Sequence, residues 1–224
     1  MNGMKNLPIL AEQIHLAFEA RTQARDRALA QARQLTRHAA HAIRAIHREE
    51  HDTAYDHLRQ ARVLVDTLQN DLSTFPELYY AGYTQDAIKE FAEASITCAL
   101  IENQPLPTPQ DLRVEFATYM NGLAESVGEM RRRCLDILRQ GYNREAERLL
   151  TNMDDIYATL VTMDYPDAVT SGLRRQTDVV RSILERTRGD LTISLREQQL
   201  EQAMQSLADR LAETQRANED HQGV

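Results

Sequence analysis

Apolar positions recur every three or four residues along nearly the whole chain, the period of amphipathic helices. The first predicted helix spans residues 7–50, with no Gly or Pro after Pro8. Turned at 100° per residue, Leu35, Ala39, Ala42, Ile43 and Ile46 share one side of it. A second helix covers 52–72, with Leu58, Ala61, Leu64, Val65 and Leu68 on one stripe. Residues 73–83, with Phe75-Pro76 and Gly82, break the pattern around a short helical turn. Thr84 has the chemistry of an N-cap for a third helix to residue 101. Pro105, Pro107 and Pro109 exclude helix across 103–110. Asp111 opens a fourth helix to 139, stopped by Gly141. A fifth covers 143–163, ended by Pro166, and a sixth covers 167–188, ended by Gly189. The last, 192–216, repeats Leu200, Met204, Leu207 and Leu211 at helical spacing before a polar stretch, 217–224, expected to fray as a disordered tail.

No internal repeat and no long linker divides these helices. The expected architecture is all-α: a single-domain bundle of six or seven antiparallel helices over residues 1–190. The C-terminal helix, 191–216, is expected to pack on that domain or on a neighbouring subunit. Composition agrees. Eight Gly and six Pro in 224 residues are too few for the turns of a sandwich or barrel. Cys98 and Cys134 lack CxxC spacing, so neither a metal knuckle nor a disulfide framework is expected. The longest nearly apolar run, 94–101, is far short of the ~20 residues that span a bilayer, and no secretory core is seen near the start. The expectation is a cytoplasmic protein with no membrane role.

Charge adds an asymmetry. The formal net charge is −8, yet residues 21–48 hold seven arginines against a single acid, Asp26. Arg33, Arg37, His41, Arg44 and Arg48 fall on one strip, opposite the apolar side of the first helix. A solvated helix face usually carries acids at i,i+4 to its arginines, and this strip has none. A local basic stripe on an acidic chain suits a polyanion bound at one place.

Candidate chemistry is acidic. Glu90 and Glu93 share a face of the third predicted helix, and Glu125 and Glu129 share a face of the fourth, flanked by Gly122 and Gly128. Acid pairs at such spacing are common on solvated faces, and spacing alone does not make a site. Brought together at low dielectric, however, two pairs repel by several kcal/mol unless a cation or protons intervene. An all-oxygen ligand set suits Mg²⁺ or Mn²⁺. His47-Arg48-Glu49-Glu50-His51 matches H-x-x-E-H, but it sits at a predicted helix end, where the two His need not face one site. Asp178, near Arg174, Arg175 and Arg181, reads as a structural ion-pair partner. P-loop, GxGxxG and nucleophile-elbow motifs are absent.

Four segments then resemble, in order, motifs of the translin superfamily. Ile43-Arg44-Ala45-Ile46-His47-Arg48 is similar to "I-R-x-I/L-H-R", and Lys89-Glu90-Phe91-Ala92-Glu93-Ala94 to "Q-E-Y-x-E-A". The stretch from Tyr119 to Arg131 resembles "Y-L-x-G-x-A-D-x-x-G-E-L-x-R", and Leu173-Arg174-Arg175-Gln176-Thr177-Asp178 resembles "L-R-x-K-x-D". The matches cover about residues 20–190. The resemblance implies a seven-helix protein of a closed, octamer-like homo-oligomer that binds single-stranded RNA or DNA. Within the family the acids are those of Trax, the catalytic branch of a metal-dependent ribonuclease complex. That implies Glu90, Glu93 and Glu125 as catalytic residues, with Glu93 and Glu129 as Mg²⁺ ligands. Glu125 departs from an aspartate in the motif; its extra methylene keeps the charge but moves the carboxylate, and Mg²⁺ tolerates little distortion. The strip Arg33, Arg37, His41, Arg44 and Arg48 is the implied nucleic-acid contact. The competing expectations are a non-catalytic, translin-like strand-binding oligomer, and a structural helical oligomer with no nucleic-acid role.

Overall fold

The computed structural model describes residue 4 and residues 6–222. Among them are nine helices and no strand: α1 (Leu7–His47), α2 (His51–Asp71), α3 (Pro76–Tyr79), α4 (Gly82–Ile101), α5 (Pro109–Leu112), α6 (Phe116–Leu138), α7 (Arg144–Val161), α8 (Asp167–Thr170) and α9 (Leu173–Gln222). None is long and apolar enough to cross a membrane among the described residues.

Helix α4 is the centre of the bundle. It is buried nearly all round, from Ile88 and Phe91 to Cys98 and Ile101, because α1, α2 and α6 all pack on it. Helix α1 meets α2 and α4 through a stripe of small residues, Ala24, Ala28, Ala32, Ala39 and Ala42, interleaved with Leu35, Ile43 and Ile46. Small residues at this spacing let the helix axes close up. On the other side α6 carries α7 and α9, which also touch each other.

Three boundaries differ from expectation. Residues 111–139 are not one helix: α5 ends at Leu112, Arg113 takes a left-handed φ of 52°, and α6 begins at Phe116. A capping box between Thr108 and Asp111 closes the short turn. The Arg62 guanidinium then takes the Leu112 carbonyl at 2.5 Å, and that of Asp111 as well, claiming acceptors that a continuous helix would use. Residues 167–188 are likewise interrupted, by Ser171 at φ 52° and Gly172 at φ 84°. Conversely, Gly189 does not stop a helix: α9 runs through it as one rod, and the backbone stays helical past 216 to Gln222. Residues 223 and 224 of the expected tail lie outside the described residues. The apolar side chains expected to dock the last helix, Leu200, Met204, Leu207 and Leu211, are 52–63% exposed on this chain.

Two glycines set a contrasting pair of expectations. Nothing lies within 4 Å of a Cβ at Gly189, so Gly189→Ala should stabilise by about 0.5–1 kcal/mol through helix propensity alone. A Cβ at Gly122 would meet the Ala92 Cβ and the Glu93 backbone N at 3.0 Å. Gly122→Val should therefore destabilise by about 2 kcal/mol or more, since the Glu93 N and Lys89 O in its way are backbone atoms and cannot rotate aside. Urea unfolding of the two variants checks both signs.

Candidate metal centre and nucleic-acid interface

The acid site exists because α6 can press against α4. At Gly122 the bare backbone of α6 sits over Lys89, Ala92 and Glu93 of α4. Gly128, by contrast, has open space around it and plays no such part. One turn after Gly122, Glu125 is thereby brought beside the two acids of α4. Ligand oxygens of Glu90, Glu93 and Glu125 all lie within 4.8 Å of one another, and all three side chains are half-buried. This trio could hold a metal ion.

The electrostatics follow. Burial, then the charges of Glu125, Glu90 and Glu129, push the Glu93 carboxyl up to about 8, against the opposing effect of Lys89. Burial and Glu125 raise Glu90 as well. Close carboxylates cannot all ionise without a compensating cation. Part of that compensation is present. The Lys89 ammonium donates to Glu125 Oε1 at 2.8 Å, and the Gln176 amide of α9 donates to the same oxygen at 2.8 Å. Burial disfavours the Lys89 charge, but Glu125 outweighs it and the ammonium is held above its ordinary pKa.

Glu129 stands one turn beyond Glu125 and outside the tight trio. Its Oε2 accepts from His47 Nε2 at 2.6 Å and from Arg132 at 3.5 Å. The His47 hydrogen bond, working against burial, holds Glu129 below the ordinary carboxylate range. The His47 side chain is only 2% exposed. The two histidines of H-x-x-E-H do diverge: His51 pairs with Glu102, which also accepts from Tyr55 at 2.5 Å. Asp178, expected in an ion pair, is exposed and in none among the described residues.

Three residues at the site were missed by sequence reasoning: His47, Lys89 and Gln176. A signal for the last two was visible. Lys89 stands where the family motif has Gln, and Gln176 stands where another motif has Lys. These look like independent departures along the chain. In the fold both residues donate to one oxygen of Glu125, placing one ammonium and one amide on that carboxylate.

The basic strip forms as its periodicity predicts. Arg33, Arg37, His41, Arg44 and Arg48 are all exposed, while Leu35, Ala39, Ala42, Ile43 and Ile46 beneath them are buried. No carboxylate pairs with those four arginines among the described residues. Arg44 instead donates to His41 Nδ1 at 3.1 Å, and His41 stacks on His57 with centroids 5.0 Å apart. At its C-terminal end the strip adjoins His47, which holds Glu129. Arg48 and His47 line a cavity of about 700 Å³ together with Arg133, Arg139, Glu49 and Asp136. A second cavity, of about 720 Å³, opens beside Lys89 and Gln176 and is also lined by Asp86, Glu115 and Arg175.

A helical bundle with a half-buried carboxylate trio between two core helices and an arginine strip free of carboxylate partners among the described residues defines a class of acid-site helical proteins. Comparison with known proteins specifies it further. The chain is 34% identical over 169 residues to an uncharacterized protein of Methanocaldococcus jannaschii, covering 75% of this chain and 74% of the relative. It superposes on the crystal structure of AfC3PO with a TM-score of 0.78 at 31% identity, covering 84% of this chain and 97% of that one. A complex of AfC3PO with duplex RNA matches at the same TM-score and 32% identity, over the same shares. Apo-NeC3PO shares the fold at a TM-score of 0.73 and 19% identity, covering 85% and 97%. No protein-family model matches. The chain belongs to the translin/Trax family of C3PO proteins.

Proposed function

We propose that this chain is an RNA-binding, Mg²⁺- or Mn²⁺-dependent endoribonuclease of homo-oligomeric, octamer-like assembly, acting on single-stranded RNA and also on single-stranded DNA. The observation that carries the catalytic part is the convergence of the Glu90, Glu93 and Glu125 oxygens within 4.8 Å, in a setting that raises Glu93 to about 8. An all-oxygen donor set whose charge Lys89 compensates only in part fits a small, hard divalent ion. Such an ion would supply a coordinated water of lowered pKa and neutralise charge on the phosphoryl oxygens. Glu93 is the central ligand in this reading. Glu129, close enough to act on Glu93 and held by His47, is the second. Glu90 and Glu125 orient or deprotonate the attacking water, and Lys89 and Gln176 hold Glu125 in position.

The binding part rests on the exposed strip. Arginines contact phosphates without reading bases, so affinity should be salt-dependent and sequence preference weak. The relative solved with duplex RNA supports RNA as the polyanion. The proposal includes a cytoplasmic location, which suits a chain whose two cysteines are both free.

One observation favours a second reading. Lys89 already supplies a cation to Glu125, and an ammonium fixed there competes with a divalent ion. In that case the chain is a non-catalytic, translin-like strand binder. Incubation of a labelled single strand with Mg²⁺, with and without EDTA, separates the two. Cleavage that EDTA stops and Glu93→Ala abolishes supports the nuclease. Strand binding with no cleavage supports the binder, and equal degradation by wild type and Glu93→Ala identifies a contaminant.

A further inference from the structure

The outer half of α9 carries an apolar seam with no partner on its own chain. Up to residue 198 the helix faces the bundle through Leu184, Thr187, Leu191 and the half-buried Leu195 and Gln198. Beyond 198 every described side chain is exposed. Ile193, Leu200, Met204, Leu207 and Leu211 are 52–63% exposed. At 100° per residue these five fall roughly 160–220° around the helix from Leu191, on the side turned away from the bundle. The seam therefore cannot fold back on its own domain; covering it takes another molecule.

The spacing says what kind. Leu200, Met204, Leu207 and Leu211 alternate steps of four and three, the d/a/d/a pattern of a coiled coil. Ile193 takes the d position one heptad before Leu200, and Glu197, at the a position between them, is the one charged residue on the seam. The flanking residues select orientation. In a parallel pair of identical helices, each g residue faces the e residue five positions on in the partner. Arg196 then meets Glu201 of the second copy, twice by symmetry, and Ala203 meets Ala208. In an antiparallel pair that stacks Leu200 on Leu211 and Met204 on Leu207, Arg210 meets Ala203 and Glu201 meets Ala208, so no ion pair forms. Gln198, Gln199, Gln202 and Gln205 occupy the outer positions.

We infer that the outer half of α9, about residues 193–214, joins two copies of this chain through a parallel two-stranded coiled coil. The segment is about 33 Å long, marginal as an isolated dimer. Tethering to already associated bundles raises its effective concentration and makes the pairing stable. The seam lies outside the acid site, so this pairing stands whether or not the chain cleaves RNA.

Disulfide trapping in the full chain tests it. Leu200→Cys and Leu211→Cys, made separately, should each give a covalent dimer under mild oxidation, while Cys98 and Cys134 are buried and do not compete. The two positions are about 16 Å apart along the helix, so an antiparallel pair can self-cross-link at one of them but not both. In the Leu211→Cys background, Arg196→Glu should cut the yield about twofold to fivefold, and Arg196→Glu with Glu201→Arg should restore it. Cross-linking at neither position, or at only one, overturns the proposal. So does a yield indifferent to the charge exchange. Loss of trapping on substituting the exposed Ile14 and Phe18 of α1, with the charge exchange silent, would assign the seam to α1 of the neighbour instead.

Discussion

Metal-free protein should lose stability as the pH rises from about 4.5 to about 8, by an amount on the order of 4 kcal/mol, and divalent metal should remove most of that loss. The sign follows from Glu93. Its folded pKa lies above its ordinary value, so below 4.5 the group is neutral in both states and the full stability is present. Between 4.5 and 8 the unfolded chain gives up the proton that the fold retains, and stability drains away. A cation among Glu90, Glu93 and Glu125 favours the ionised forms and reverses the penalty. Glu93→Gln removes the group with the largest shift and leaves Glu90, so its metal-free stability should fall less steeply across the same range and be higher than wild type at pH 8. Thermal or urea unfolding in chelator and in Mn²⁺, at pH 5 and pH 8, gives the four numbers needed. Parallel curves for wild type and Glu93→Gln would show that Glu93 carries no such shift.

The second large effect belongs to the strip. Reversing Arg37, Arg44 and Arg48 to Glu should weaken single-strand binding by about two orders of magnitude at moderate salt, and lower the salt slope by roughly two. The three side chains are exposed and free of carboxylate partners among the described residues, so their reversal breaks no ion pair and leaves the bundle folded. Fluorescence anisotropy of a labelled oligonucleotide across a salt series reads both quantities. Circular dichroism controls for folding. Full binding by the triple variant would move the nucleic-acid contact elsewhere.

Placement of the two candidate surfaces explains why one was easier to read than the other. The strip is a property of one helix, and helical periodicity maps sequence to face directly. Arg33 to Arg48 and their apolar underside are where a 100° rotation puts them. The acid trio joins two helices, and periodicity only says that each pair shares a face. That the pairs meet depends on Gly122, whose missing side chain lets α6 approach α4 to contact. The approach also decides unequally. Glu125 joins Glu90 and Glu93, while Glu129, though on the same face, is drawn off by His47 at the end of α1. No rule of spacing links residues 47 and 129.

Helix boundaries divide in the same way. Termini governed by local chemistry, such as α1 at His47, α2 at Asp71 and α4 at Ile101, lie within a few residues of their expected positions. Those governed by distant partners do not. The break at Arg113 depends on Arg62, some fifty residues earlier, which captures carbonyls that the local pattern assigns to a helix. Gly189 errs the other way. Its local signal is a stop, but Leu184, Thr187 and Leu191 are buried on both sides of it, and their packing outweighs the ~1 kcal/mol that one glycine costs a helix.

The amino-acid order alone settles an all-helical chain, its unbalanced arginine strip, its two acid pairs and a C-terminal helix with an apolar edge, because each is written in residues within a few turns of one another. Which acids converge, which histidine takes one of them away, and on which side of α9 that edge lies relative to the bundle are decided only when helices far apart in sequence are packed. Contact between helices is set by the shape of whole faces, and a single glycine or guanidinium at the right depth redirects it.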